Sequence, residues 1–218
     1  MAQVKNSGLN NQPNDAAVNF PHTPEEDFVA RIYHQVDKAA AGELFSLRSK
    51  NGIHPTCQLG CYECCNQYIL INRAEAHALG QFIRREFSVP EMRALELRTR
   101  QWHAWNEDRR ERLPAKSPMA KPYCPLLVDG ACQAYAMRPL TCRTHFVCSS
   151  ASFCRFSSEP AGARSRPTTM TSVLTATTRF SDRLKHPVNN SHPDFSRETM
   201  LLPHWLAIEM KWEFAVAI

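Results

Sequence analysis

Cys57-Gln-Leu-Gly-Cys61-Tyr-Glu-Cys64-Cys65 places four thiols within nine residues. A second set answers it downstream: Cys124-Pro125-Leu126-Leu127, then Cys132, then Arg138-Pro139-Leu140-Thr141-Cys142-Arg143, with Cys148 and Cys154 beyond. A thiolate is a soft, anionic ligand, and proteins gather such ligands around zinc and iron–sulfur centres. About sixty residues separate the two blocks. A shared centre would therefore staple distant parts of the chain, and its binding energy would become folding energy.

The spacing narrows what such a centre is. Cys61 and Cys64 form one chelating pair, flanked by Cys57 and Cys65. The neighbouring side chains of Cys64 and Cys65 point in different directions, which suits two metals or separate corners of a wide cluster better than one ion. Nine cysteines exceed a single four-thiolate site by more than a factor of two. The uneven three-then-two spacing of the first block is that of cluster loops, without the repeated Cys-x2-Cys pairs of zinc ribbons. An iron–sulfur cluster, of the 4Fe-4S kind, is thus favoured over Zn2+. Two zincs with four thiolates each remain open as an arrangement. The expected ligands are Cys57, Cys61, Cys64, Cys65, Cys124, Cys132 and Cys142, with Cys148 at the edge of the set. Cys148 and Cys154 are the thiols most readily read as inert, since a single cysteine often serves as a small buried hydrophobe. Alanine at Cys154 is expected to leave metal content intact, and alanine at Cys61 is not.

Working outward, the rest of the chain must supply a scaffold. Its 218 residues are enough for one domain with a real core. The first twenty residues lack the apolar segment of an export signal, no apolar run is long enough to span a bilayer, and the cytoplasm is the default compartment. In a reducing compartment clustered thiols are metal ligands more often than disulfides, and the odd count agrees. The net charge of +5 concentrates in residues 84 to 121, with ten Lys/Arg against six Asp/Glu, and in 155 to 197, with seven against three. Mixed signs along Arg84–Arg112 describe a solvated helix rather than a nucleic-acid surface, so nucleic acid is an unlikely partner.

The elements are mostly helical. Residues 1–20 are polar and read as a disordered tail. Thr23-Pro24-Glu25-Glu26 is a helix start, and Phe28, Ile32, Val36, Ala40 and Leu44 then form a stripe flanked by Val29, Tyr33 and Leu47. Tyr33 is expected in the core and His34 on the surface. Gly52-Ile53-His54-Pro55 ends this helix and delivers Cys57. Tyr68–Ile71 is a buried turn or brief strand, after which Asn72 caps a helix with Leu79, Phe82, Ile83 and Phe87 on one face. Ser88-Val89-Pro90-Glu91 starts a third helix carrying Met92, Leu95, Trp102 and Trp105. Asp129-Gly130 between apolar residues signals a hairpin at the second block. Residues 133 to 137 suggest a helical turn stopped by Pro139. Thr168–Lys185 is read as a helix between two loops, Ser149–Pro167 and Lys185–Ser196. A terminal helix is predicted over Leu201–Ile218, docking through Leu202, Trp205, Ile208, Met210 and Trp212. The fold class is thus mainly α: a small helical domain (21–160) organised around a cysteine-ligated metal centre, with a short β-hairpin near the second block. Residues 161–218 form a helical extension that docks on it. No Gly-x-Gly-x-x-Gly or Gly-Lys-Ser/Thr is present, so neither a dinucleotide fold nor a phosphate loop is indicated.

Taken together, Cys57, Cys61, Cys64, Cys65, Cys124-Pro125, Leu127, Gly130, Cys132, Tyr135, Arg138-Pro139, Cys142 and Arg143 resemble the YkgJ-type cysteine-cluster proteins, described as zinc- or iron-chelating domains. The resemblance spans roughly residues 50 to 150. It implies metal binding, by iron–sulfur or zinc, in a structural, redox or accessory role. A flagellin lysine N-methylase carries a similar cluster, so the resemblance admits a protein-modifying enzyme, and with it a protein partner. A zinc module contacting nucleic acid is a further alternative. Cys57-x3-Cys61-x2-Cys64 is also similar to the motif of radical S-adenosylmethionine enzymes, but those follow it with repeated strand–helix units and this chain follows it with helices. Around the thiols, Arg138 and Arg143 are candidates to hydrogen-bond the ligands and offset their charge, or to form ordinary ion pairs. Tyr135 reads as packing and His145 as an ordinary histidine before a nitrogen ligand. Glu63 is read as a solvated carboxylate before a general acid or base.

Overall fold

The capping signals at Thr23 and Asn72 both form. In this computed structural model, which describes residues 23–58, 60–111, 120–155, 166–185 and 198–214, the Thr23 hydroxyl accepts the Glu26 N–H and the Glu26 carboxylate returns to the Thr23 N–H. This box starts α1 (Pro24–Asn51), which ends where Gly52 takes a left-handed conformation (φ 64) and its N–H turns back to the Arg48 carbonyl. Asn72 and Glu75 make the same box at the start of α2 (Arg73–Glu86). The third helix, α3, runs Val89–Glu111. The remaining helices are α4 (Leu140–Thr144), α5 (Thr171–Lys185) and α6 (Leu202–Met210). Among the described residues the protein is therefore mainly helical. The expected Met1–Phe20 tail, most of the Pro114–Pro122 linker, the part of the Ser149–Pro167 loop from 156 to 165, the loop after Lys185 and the last four residues lie outside those described.

Two small antiparallel ribbons complete the fold. The hairpin joins β2 (Leu127–Val128) to β3 (Ala131–Cys132) through Asp129 (φ 49) and Gly130 (φ 78). Both central residues have positive φ, as a two-residue type I′ turn demands, and Asp-Gly tolerates it. The other ribbon pairs β1 (Leu70–Asn72) with β4 (Thr199–Leu201).

The core is built on the stripe of α1. Val29, Ile32, Tyr33 and Val36 pack with Leu79 and Ile83 of α2, Leu95 of α3, Ile71, and Leu202, Trp205 and Leu206 of α6. A smaller cluster of Ala40, Met170 and Val173, with Leu44, Leu47 and Phe146 against it, seats α5 along the second half of α1. Across the α1–α2 seam, buried Glu26 pairs with Arg85 at 2.8 Å.

The chain's last stretch departs from expectation. The single helix over Leu201–Ile218 does not form: Leu201 is the end of β4, and α6 stops at Met210, where Lys211 adopts a left-handed cap (φ 56). Leu201 lies opposite Leu70, a pairing across more than a hundred residues that no local pattern encodes. The Trp205 indole N–H then donates to the Ile71 carbonyl at 3.0 Å, pinning α6 to β1. Leu202 and Trp205 dock as expected, whereas Ile208 is 41% exposed. No helix of the described residues is long and apolar enough to cross a membrane.

Candidate metal centre

The first block has too few apolar residues for a long element, and Glu63–Asn66 folds as a single 3-10 turn carrying Cys64 and Cys65. Backbone bonds then bring the second block to it. The Cys124 N–H donates to the Cys65 carbonyl at 2.8 Å, and buried Asn66 donates its amide to the Lys121 carbonyl at 3.0 Å. Arg98 of α3 braces both ends of the hairpin, donating Nε to the Pro125 carbonyl at 2.6 Å and its terminal nitrogen to Gln133 Oε1 at 2.7 Å. The Lys121 ammonium lies 4.9 Å from the ring centre of Tyr68 and 5.7 Å from that of Trp105, so the second block enters over an aromatic floor. Cys132 sits on β3 and Cys142 on α4, whose first N–H, that of Leu140, donates to Glu75 Oε1 at 2.8 Å.

Five thiols come within electrostatic reach of one another as a result. Cys64, Cys65, Cys124, Cys132 and Cys142 lie close enough that the charge of each bears on the titration of others. Burial pushes the Cys124 thiol up to about 12 and raises those of Cys132 and Cys142. The exception is Cys64, lowered to about 7 because it accepts a hydrogen bond from the Cys65 thiol, with the Arg138 charge acting in the same direction. The same bond, with burial, raises Cys65. The hydrogen bond between these adjacent cysteines thus favours the thiolate on Cys64 and the thiol on Cys65.

A flanking group forms beside these five. The 3-10 turn Ala151–Cys154 packs on Glu63–Asn66, and Arg155 grips Glu63 with two bonds of 2.8 Å. The Gln67 amide donates to the Cys154 carbonyl. Cys154 Sγ lies 3.6 Å from His145 Nε2, Cys57 Sγ lies 3.9 Å from the His145 carbonyl, and Cys154 feels the charges of Cys64, Cys57 and Cys61. Burial pushes the Cys154 thiol up to about 11 and lowers the His145 imidazole. Cys154, read from sequence as inert and outside the site, thus stands with the first block. Cys148 runs beside Cys57 in the backbone, since Thr56 donates to the Val147 and Ser149 carbonyls on either side of it, but its side chain faces solvent. Val147, bridged to Thr169, points into the core, so its neighbour on the extended chain turns outward. Cys148 is exposed, with its thiol on the Thr168 carbonyl at 3.6 Å.

The two arginines divide. Arg143 is buried and its hydrogen bonds go to Asp37 of α1 and to the Ala136 and Arg138 carbonyls, with its guanidinium 4.2 Å over the Tyr33 ring. It is an ion-paired clamp. Arg143→Lys loses the planar fork and leaves carbonyls short of donors. It is expected to lower stability by about 2–3 kcal/mol, read as an earlier urea midpoint at unchanged slope; an unmoved midpoint would refute the clamp. The Arg138 charge bears on Cys132 and Cys142, and its buried Nε has no hydrogen-bond partner among the described residues. Tyr135 is not core packing: it is 55% exposed, with the Arg138 guanidinium 4.2 Å over its ring. Glu63 is a salt-bridge partner of Arg155.

Zn–S bonds of about 2.3 Å set the sulfurs of one tetrahedral site about 3.8 Å apart. Among the described residues no three His, Cys, Asp or Glu side chains are drawn together in this way. What the site offers is its donor chemistry: thiols from two blocks, one imidazole at the flank, and an unpartnered cationic N–H among them. That set fits a thiolate-ligated iron–sulfur centre or zinc. Sequence reasoning missed Glu75, Arg98, Lys121 and Cys154. Only Glu75 had a local signal, the Asn72-x-x-Glu75 box. No family model, curated protein or solved structure matches the chain.

Proposed function

We propose that this chain is a metal-binding protein of the YkgJ-like kind, holding an iron–sulfur centre on thiols drawn from Cys64, Cys65, Cys124, Cys132 and Cys142. The observation that carries the reading is the backbone bond from Cys124 to Cys65, which joins the two cysteine blocks and, with the braces of Arg98 and Glu75, brings five thiols within electrostatic reach of one another. An iron–sulfur centre, when bound, supplies one-electron transfer without moving atoms. The chain's own residues would hold it and keep the ligands' backbone in place.

The flanking group has a different donor set. Cys57, Cys61 and Cys154 with His145 offer three thiols and an imidazole, a set that structural zinc uses. Zinc at the flank is the second reading, favoured by the 3.6 Å approach of Cys154 Sγ to His145 Nε2.

The test is purification without oxygen, followed by metal and acid-labile sulfide analysis. Brown protein with iron and sulfide in near-equal amounts is expected. Colourless protein carrying only zinc would refute the iron–sulfur reading. Variants locate the ligands. Cys142→Ala should lose iron, Cys154→Ala should lose metal from the flank alone, and Cys148→Ala should match the parent. Equal loss from Cys148→Ala and Cys154→Ala would show that the grouping is drawn wrongly.

A further inference from the structure

Carboxylates near the thiols already have partners. Asp37 takes Arg143, Glu63 takes Arg155, and Glu75 takes Tyr33, Asn72 and Leu140. Among the described residues Arg138 is left without such a partner at Nε, which is buried and makes no hydrogen bond. A buried guanidinium N–H without an acceptor is costly, and such an atom is kept where a ligand completes it. The structure holds it in place from two sides. The Tyr135 ring lies 4.2 Å from the guanidinium, and the Arg138 carbonyl is tied to Arg143 Nε at 2.8 Å. Arg138 directly precedes Pro139, whose carbonyl accepts the Cys142 N–H, and its charge bears on Cys64 of the 3-10 turn, Cys132 of β3 and Cys142 of α4.

We propose that Arg138 is the cation reserved for the bound centre, its Nε–H donating to a sulfur of that centre and its charge favouring the reduced state, while the Arg143 donors are taken by Asp37 and the Ala136 and Arg138 carbonyls. This rests on the iron–sulfur reading above. When one electron enters from a reductant, the thiolate-ligated centre becomes one unit more negative. No bond to Arg138 forms or breaks, and the guanidinium keeps its proton. A fixed positive charge and an N–H donor to sulfur both favour the more negative state, so both raise the reduction potential.

The experiment is a redox titration of the full chain, purified without oxygen and reduced with dithionite in the presence of mediator dyes. Parent, Arg138→Gln, Arg138→Lys and Arg143→Lys are compared by their visible absorbance. Arg138→Gln is expected to keep parental iron and sulfide but to reduce at a more negative potential. Arg138→Lys, which keeps the charge and loses the Nε–H, should fall between. Arg143→Lys should keep the parental potential while unfolding earlier, a separation that a merely structural role for Arg138 would not produce. Equal potentials for parent and Arg138→Gln would overturn the proposal. Should Arg138→Gln lose its centre on purification, Arg138→Lys decides alone, and a parental potential there overturns it too. A colourless parent protein sinks the iron–sulfur reading and this proposal together, before any variant is compared, so the two failures are distinguishable.

Discussion

Stripping the metal from the full chain, or replacing Cys64 with serine, is expected to lower the melting temperature by about 10 °C. Cys64 stands where the two thiol groups meet, beside Cys65 and within electrostatic reach of Cys124, Cys142 and Cys154. The segments that carry these thiols are two 3-10 turns, a two-residue-stranded hairpin and the five-residue α4. Such short pieces make few bonds of their own and bury little apolar surface. A centre shared between them therefore contributes directly to folding. Structural zinc in small peptides is worth about 10–16 kcal/mol. Here α1, α2 and α6 hold a core without it, so a smaller share of about 4 kcal/mol is at stake. A chain of this size loses about 2–4 °C per kcal/mol. Melting curves recorded without oxygen, before and after exhaustive chelation, read the effect, with Cys148→Ser as the unaffected control. An unchanged melting temperature after complete metal removal would defeat the idea.

What the sequence made legible was local. The Thr23 box, the Asn72 cap, the α1 stripe and the Asp129-Gly130 hairpin all rest on contacts within a few residues, and all appear. The cysteine blocks announced themselves by density. What stayed hidden depends on pairs distant in sequence. Leu70 with Leu201 converted a predicted helix end into a strand. The packing of Ala151–Cys154 on Glu63–Asn66 moved Cys154 from bystander to neighbour of the first block, and the Val147–Thr169 bridge turned Cys148 away. Spacing ranks thiols by distance along the chain, and the fold re-sorts them by which turn packs on which. The arginines show the same limit. Both lie close to Cys142 in sequence, and it takes Asp37 on α1, one hundred and six residues away, together with the Ala136 and Arg138 carbonyls to make Arg143 the clamp.

Glu75 is where the helical core and the thiol site are joined, and its removal should be felt in both. Its carboxylate, 5% exposed, accepts the Tyr33 hydroxyl of α1 at 3.0 Å, the Leu140 N–H of α4 at 2.8 Å, and the Asn72 N–H at 3.3 Å. Glu75→Leu leaves three buried donors without an acceptor, at about 1–3 kcal/mol each. A loss of about 3–5 kcal/mol is expected in urea unfolding, together with weaker metal retention, since α4 carries Cys142. Glu75→Gln keeps one acceptor oxygen and should cost less. The pH dependence separates charge from packing. Burial raises the Glu75 carboxyl above its ordinary value, despite the three donors and the nearby Arg143 charge that lower it. The folded state thus binds this proton more tightly than the unfolded state does. Its contribution is fully present below the unfolded carboxylate value, near 4.3, and declines as pH rises through the higher folded value. The parent should therefore lose stability across that window relative to Glu75→Gln, which has nothing to titrate there. Parallel stability–pH curves for the two proteins would show that Glu75 is charged at no cost in the fold, and that its role is packing alone.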